Sequence, residues 1–290
     1  MDNAPIGIFD SGLGGLTVAR AVIDQLPDEE ILYLGDTAHT PYGPRRMSDV
    51  RRLALAGLDE LADAGVKALV IACNTATAAA LSDARERYFL ERGIPVIEVI
   101  TPAARASVAT TRNGRIGIIG TEATVQSQAY LNSLAAVPDI EVFQQACPRF
   151  VEFVERGVTT GSELSQVAAD YLKPLQDEGI DTLILGCTHY PLLTGAISRV
   201  MGENVTLVTS SAATARATYN ELTDRDLLHE QRRPGDKPNH RFQTTGSADL
   251  FHDLAHRFLG PEVGPVEQVH TIDGDEIADP YEAPKQEARA

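Results

Sequence analysis

Residues 182–193 read Thr182-Leu183-Ile184-Leu185-Gly186-Cys187-Thr188-His189-Tyr190-Pro191-Leu192-Leu193. The apolar run before the cysteine has the pattern of a strand buried on both faces, as in a parallel sheet covered by helices. The polar residues after it therefore stand at a strand's carboxyl end, where open α/β sheets bind ligands. Pro191 suits the first turn of a helix, whose free N–H groups and positive dipole end would favour a thiolate just upstream. Earlier, Ala68-Leu69-Val70-Ile71-Ala72-Cys73-Asn74-Thr75-Ala76 repeats the plan of apolar strand, cysteine and polar pair.

A second pair of stretches matches at nearly the same separation. Ile6-Gly7-Ile8-Phe9-Asp10-Ser11-Gly12 has its counterpart in Ile116-Gly117-Ile118-Ile119-Gly120-Thr121-Glu122. Both pairs are offset by about 110 to 115 residues, the sign of a duplicated unit. The expected fold class is α/β: two pseudo-symmetric three-layer αβα domains with mostly parallel sheets and the active site at their interface. Residues 1–98 plus 210–259 would form the first domain and 99–209 the second. Packed about a pseudo-two-fold axis, the halves would bring Cys73 and Cys187 to one cleft from opposite sides.

At 290 residues and 43% hydrophobic content the chain can bury substantial cores. Its formal net charge of −16 disfavours nucleic acid and anionic membrane as partners. Three cysteines, at 73, 147 and 187, cannot all pair and lack the close spacing of zinc or redox sites, so reduced thiols are expected. With no secretory pattern at the start and no long apolar span, the expected location is cytoplasmic. Beyond Gly260 acidic residues outnumber basic ones and prolines recur, so residues 260–290 read as a mobile acidic tail.

The turn Asp10-Ser11-Gly12-Leu13-Gly14-Gly15 lacks the spacing of a dinucleotide fingerprint. Its glycines are expected to let the backbone approach a small ligand. Gly35-Asp36-Thr37-Ala38-His39-Thr40-Pro41-Tyr42-Gly43-Pro44-Arg45 is too rich in Gly and Pro for regular structure and suits a ligand-covering loop. Ser48, Thr121 and Ser162 are expected helix caps.

Removing an α-proton from an amino acid requires a base on one face of the carbon and an acid on the other. One buried cysteine at a strand end is ordinarily just a small hydrophobe. Two in matched contexts, followed by Asn74-Thr75 and Thr188-His189, read instead as a reversible acid/base pair. Asp10 could exchange a proton with Cys73, and His189 with Cys187. Cys147, with no polar partner in sequence, reads as structural. None of the lysines, at 67, 173, 237 and 285, has a Schiff-base setting, which argues against pyridoxal phosphate.

Five stretches, IGIFDSGLGGLTV (6–18), YLGDTAHTPYGPR (33–45), ACNTA (72–76), GTEATV (120–125) and LGCTHYPLL (185–193), resemble the signature blocks of bacterial glutamate racemases, and the resemblance covers roughly residues 5 to 258. It implies cofactor-independent interconversion of L- and D-glutamate, supplying D-glutamate for peptidoglycan. By matching motif, Cys73 and Cys187 would be the acid/base residues, the first acting on the D-isomer and the second on the L-isomer. Asp10, Ser11, Pro41, Tyr42, Gly43, Asn74, Thr75, Thr121, Thr188 and His189 would bind substrate, with Asp10 and His189 assisting the thiols. Glu155 would support His189, and Glu152, one turn away, competes for that role. Thr209-Ser210 stands where the family commonly has Asp-Ser, which leaves no carboxylate there. No metal or cofactor is expected, and a homodimer is. An aspartate racemase is the near alternative. A regulatory protein with DNA gyrase as a secondary partner is the reading from another class.

Overall fold

The computed structural model describes residues 1–233, 235–260 and 263–270. In chain order the first elements are β1 (Ile6–Asp10), α1 (Leu16–Gln25), β2 (Ile31–Gly35), α2 (Met47–Asp63), β3 (Ala68–Ile71), α3 (Asn74–Ala84, running on through a π-helical turn at Arg85–Leu90) and β4 (Val96–Glu98). There follow α4 (Ile100–Thr110), β5 (Arg115–Gly120), α5 (Glu122–Gln126), α6 (Ala129–Leu134), β6 (Glu141–Ala146), α7 (Arg149–Glu155), α8 (Ser162–Asp177) and β7 (Thr182–Gly186). A 3₁₀ turn (Tyr190–Leu193) leads to α9 (Thr194–Met201), β8 (Thr206–Thr209), α10 (Ser210–Asp224), β9 (Arg241–Thr244), α11 (Ala248–Leu259) and β10 (Val266–Gln268).

The strands form a six-stranded sheet, ordered β10-β9-β2-β1-β3-β4, and a four-stranded sheet, ordered β6-β5-β7-β8, with parallel pairings in both. The duplication seen in sequence is visible in register. Gly7 pairs with Leu69 beside it, and its counterpart Gly117 pairs with Leu183. Each glycine leaves room for apolar side chains that a Cβ would strike: Val66 and Leu69 at Gly7, Ile180 and Leu183 at Gly117.

Alternation along the strands divides the interior into layers. Ile6, Ile8 and Val70 of one sheet and Ile118 and Ile184 of the other point into one shared apolar cluster with α1, α4 and α10. Phe9, Leu34 and Ile71 point outward onto α2 and α3. Ile119, Leu183 and Leu185 point outward onto α7, α8 and α9. The α2 face Val50, Leu53, Ala54, Gly57, Leu58, Leu61 has helical spacing. Gly57 is required there, because a Cβ would lie 2.3 Å from the Phe9 ring.

Three local expectations need correction. Ser48 does not cap α2; Arg46 occupies that position without a side-chain bond. Gly161, at φ 120°, precedes α8 in place of a Ser162 cap, because only glycine takes that backbone readily. The expected tail does not begin at 260: Val263 is buried and Val266–Gln268 pairs with β9, supplying main-chain bonds that low hydrophobicity did not forecast. Residues 271–290 lie outside the described residues. Among the described residues no helix is long and apolar enough to cross a membrane.

Candidate active site

In both sheets the chain leaves the central pair of strands in opposite directions, β1 to one side and β3 to the other, and likewise β5 and β7. The crevice at such a switch point is where parallel sheets bind ligands. Four strand ends supply residues to one cavity of about 250 Å³: Ser11 after β1, Cys73, Asn74 and Thr75 after β3, Thr121 and Glu122 after β5, and Cys187, Thr188 and His189 after β7. Loop residues Thr40, Pro41, Tyr42, Gly43 and Pro44 and α7 residues Val151, Glu152 and Glu155 complete the wall with Pro148 and Gly186. Both thiols thus open on the same space.

Cys73 is the N-cap of α3, its Sγ accepting from Ala76 N–H at 3.4 Å and its S–H directed to Ser11 Oγ at 3.4 Å. The Ala76 N–H favours a thiolate, as does the Ser11 hydroxyl once it turns to donate to the sulfur, yet burial, reinforced by the Asp10 carboxylate, pushes the pKa up to about 12. Cys73 is therefore a thiol at neutral pH.

The turn at Cys187 differs. The segment containing Pro191 is a short 3₁₀ turn and the α-helix starts only at Thr194, so no helix dipole is aimed at this sulfur. Its partner is His189, whose Nδ1 is 3.9 Å from Sγ. The opposite ring atom, Nε2, is 3.5 Å from Glu155 Oε1 but lacks hydrogen-bond geometry and is otherwise unpartnered. Burial disfavours the imidazolium, but the Cys187 and Glu155 side chains outweigh it and raise His189 to about 10. A cation beside a sulfur stabilises the thiolate. Glu155, rather than Glu152, is the carboxylate within ion-pair range.

Asp10 is placed behind the cavity rather than on its wall. It is fully buried, accepts from Gly12 N–H at 3.0 Å and from Thr188 Oγ1 at 3.5 Å, and burial raises its pKa against the pull of His189. Gly14 and Gly15 of the glycine-rich turn serve this packing, while Ser11 of the same turn faces the cavity. A Cβ at Gly15 would lie 2.4 Å from Asp10 Cβ, and one at Gly14 would lie 2.4 Å from Thr188 Oγ1 and 2.6 Å from His189 Nδ1. The turn after β1 is pressed against the turn that carries His189.

Cross-links hold the wall. Thr75 Oγ1 lies 2.9 Å from Thr121 Oγ1, which caps α5, and 3.2 Å from Thr124 Oγ1. The Tyr42 hydroxyl donates to Asp36 Oδ2 at 2.6 Å, and Thr245 and His39 also bind Asp36, at 2.6 and 2.7 Å. The loop is thereby pinned to the end of β9. Cys147 is fully buried away from the cavity, and burial raises its thiol pKa. Thr209 borders a separate groove between α4 and α10.

Thr40, Pro44, Glu122, Pro148, Val151 and Gly186 were not foreseen as wall residues. Val151 of α7 and its N-cap Pro148 had a signal, since Pro148, Val151 or Glu152, and Glu155 recur at helical spacing and share a face. Among the described residues, no three His, Cys, Asp or Glu side chains converge as metal ligands would.

Similarity to known proteins agrees with this geometry. The sequence profile of the Asp/Glu/Hydantoin racemase family matches residues 16–218. A glutamate racemase of Mycobacterium avium (strain 104) is 59% identical over 273 residues, 93% of this chain and 97% of the relative. A crystal structure of a glutamate racemase isoform from Bacillus anthracis superposes with a TM-score of 0.87 at 41% identity, covering 93% of this chain and 98% of that one. The Francisella tularensis enzyme, solved with D-glutamate, gives 0.85 at 36% identity over 94% and 99%. A strand-end cysteine pair opening on one cavity and similarity over nearly the whole chain lead to one conclusion: the chain belongs to the glutamate racemases of the Asp/Glu/Hydantoin racemase family.

Proposed function

We propose that the protein interconverts L- and D-glutamate without a cofactor, using Cys73 and Cys187 as the two acid/base groups. The observation that carries the reading is the single cavity onto which both thiols open. In the L-to-D direction, the Cys187 thiolate, paired with the His189 imidazolium, takes the α-proton. The Cys73 thiol delivers a proton to the opposite face, leaving Cys187 as thiol and Cys73 as thiolate. The reverse direction runs the same steps backward. Charge develops on the substrate carboxylate as the proton leaves, and the buried donor groups of Thr75, Thr121 and Thr188 are suited to meet it, while the Asn74 carboxamide holds a substrate carboxylate in ground state and transition state alike. Ser11, Pro41, Tyr42 and Gly43 shape the rest of the site, Asp10 orients Thr188, and Glu155 supports His189.

Residues 1–98 with 210–259 read as one α/β domain and 99–209 as the other, supported by which strands share a sheet; the first extends to at least residue 268 through β10. The reading further comprises a cytoplasmic enzyme supplying D-glutamate to peptidoglycan, and a homodimer, which sedimentation tests. DNA gyrase as a secondary partner is tested by supercoiling assays with a Cys73→Ala/Cys187→Ala protein. The activity itself is tested by following the ellipticity of L-glutamate with the purified protein and no added cofactor. Decay to zero is expected; a constant signal contradicts the reading, and decay with aspartate instead would move the substrate to the shorter acid.

A further inference from the structure

Asn74 follows Cys73 directly, at the first position of α3, and its carboxamide is buried on the cavity wall. Its Oδ1 accepts a 2.7 Å hydrogen bond from the Tyr130 hydroxyl, whereas its Nδ2 has no partner in the protein. The two ends of a carboxamide are nearly alike in shape and opposite in hydrogen-bonding sign. A donor fixed on the oxygen therefore decides that the NH2 group faces the cavity. A buried, unpaired NH2 group is costly unless an acceptor arrives, and a substrate carboxylate is such an acceptor.

Tyr130 comes from α6, in the half of the chain that bears Cys187, and is fully buried. Its ring edge lies beneath Gly186, where a Cβ would come within 3.1 Å of Tyr130 Cε2. The same side chain thus touches the residue after one cysteine and the residue before the other. Burial, reinforced by Glu98, raises the phenol pKa well above its ordinary value, so the hydroxyl remains a donor throughout the working range.

We infer that Tyr130 is a positioning residue for racemisation, locking the Asn74 carboxamide with its NH2 group toward the substrate carboxylate and bracing the Cys73 turn against the Cys187 turn. The inference rests on the racemase reading for its kinetic consequence and on the unliganded protein for its structural one.

Tyr130→Phe keeps the ring and removes only the hydroxyl. It should raise KM for both enantiomers about five- to tenfold and leave kcat within about twofold. Added to Asn74→Ala it should cost nothing more, because its effect passes through that carboxamide. A purely structural role would lower thermal stability and active fraction, leave KM unchanged, and add fully to Asn74→Ala; either of the last two results overturns the inference. A second measurement needs no activity. The Asn74 side-chain NH2 signals, identified by their loss in Asn74→Ala, should be restrained in the wild type and lose that restraint in Tyr130→Phe; equal restraint in both overturns the inference. A wild type inactive on glutamate would sink the racemase reading alone, and the spectra would still decide whether Tyr130 holds the carboxamide.

Discussion

The turns after β3 and β7 share a sequence plan but not a charge environment. Cys73 caps a full α-helix, yet burial and the Asp10 carboxylate push it up to about 12. Cys187 precedes only a 3₁₀ turn, yet it has an imidazole 3.9 Å away whose own pKa is raised to about 10. Duplication supplies two like strand ends facing one space. Neighbours that the repeat does not share, Asp10 and Ser11 at one end and His189 and Glu155 at the other, give them different charge environments: a carboxylate beside Cys73, an imidazole beside Cys187.

The largest effect that would break this comparison is loss of either sulfur. Cys73→Ser and Cys187→Ser should each reduce kcat/KM about a thousandfold or more, the upper range for a positioned acid or base. The equilibrium constant between enantiomers is one, so the loss must be equal in both directions. Full turnover by either variant rejects the two-thiol assignment.

His189→Asn should cost roughly 10- to 100-fold, because the Cys187 sulfur loses the imidazole beside it. Its pH dependence sharpens the contrast. His189 titrates near 10 in the folded protein, against an ordinary value of 6.5. A raised pKa of this kind contributes stability that is complete below about pH 6.5 and lost as the pH rises through about 10. Urea unfolding of the wild type and His189→Asn should therefore converge between those values, and wild-type kcat/KM should fall as the pH passes about 10.

Gly14→Ala tests whether the two turns must touch. The added methyl would strike Thr188 and His189. It should cost about 1–3 kcal/mol in stability and lower kcat/KM about tenfold, read by denaturation and steady-state assay. Unchanged values would show that the turns can part freely. Smallest of all, Glu155→Gln should reduce kcat/KM about two- to threefold, since Glu155 Oε1 is 3.5 Å from the ring and its side chain is 42% exposed.

The strands were legible because buried parallel strands are nearly continuous apolar runs, and the duplicated motifs told that two halves would share one plan. Cys73, Cys187 and their polar followers were legible because a strand end fixes where the next residue goes. What was not legible depends on contacts remote in sequence. The spacing around Pro191 suits a helix start, but the segment takes a 3₁₀ turn against α7 before α9 begins. Gly14 and Gly15 read as ligand-facing until Thr188, His189 and Asp10 are seen to occupy the space. Tyr130 lies in an ordinary-looking helix, and nothing local links it to Asn74. The β10 segment reads as tail because edge pairing draws on main-chain groups, which composition does not report.

The central claim, that two different groups serve opposite faces of one carbon, is tested most directly by racemisation in deuterated water at early times. Starting from either enantiomer, the product should carry deuterium at the α-carbon while the remaining substrate retains protium. Deuterium entering recovered substrate as fast as product forms, or protium carried over into product, would point to a single shared base and contradict the claim.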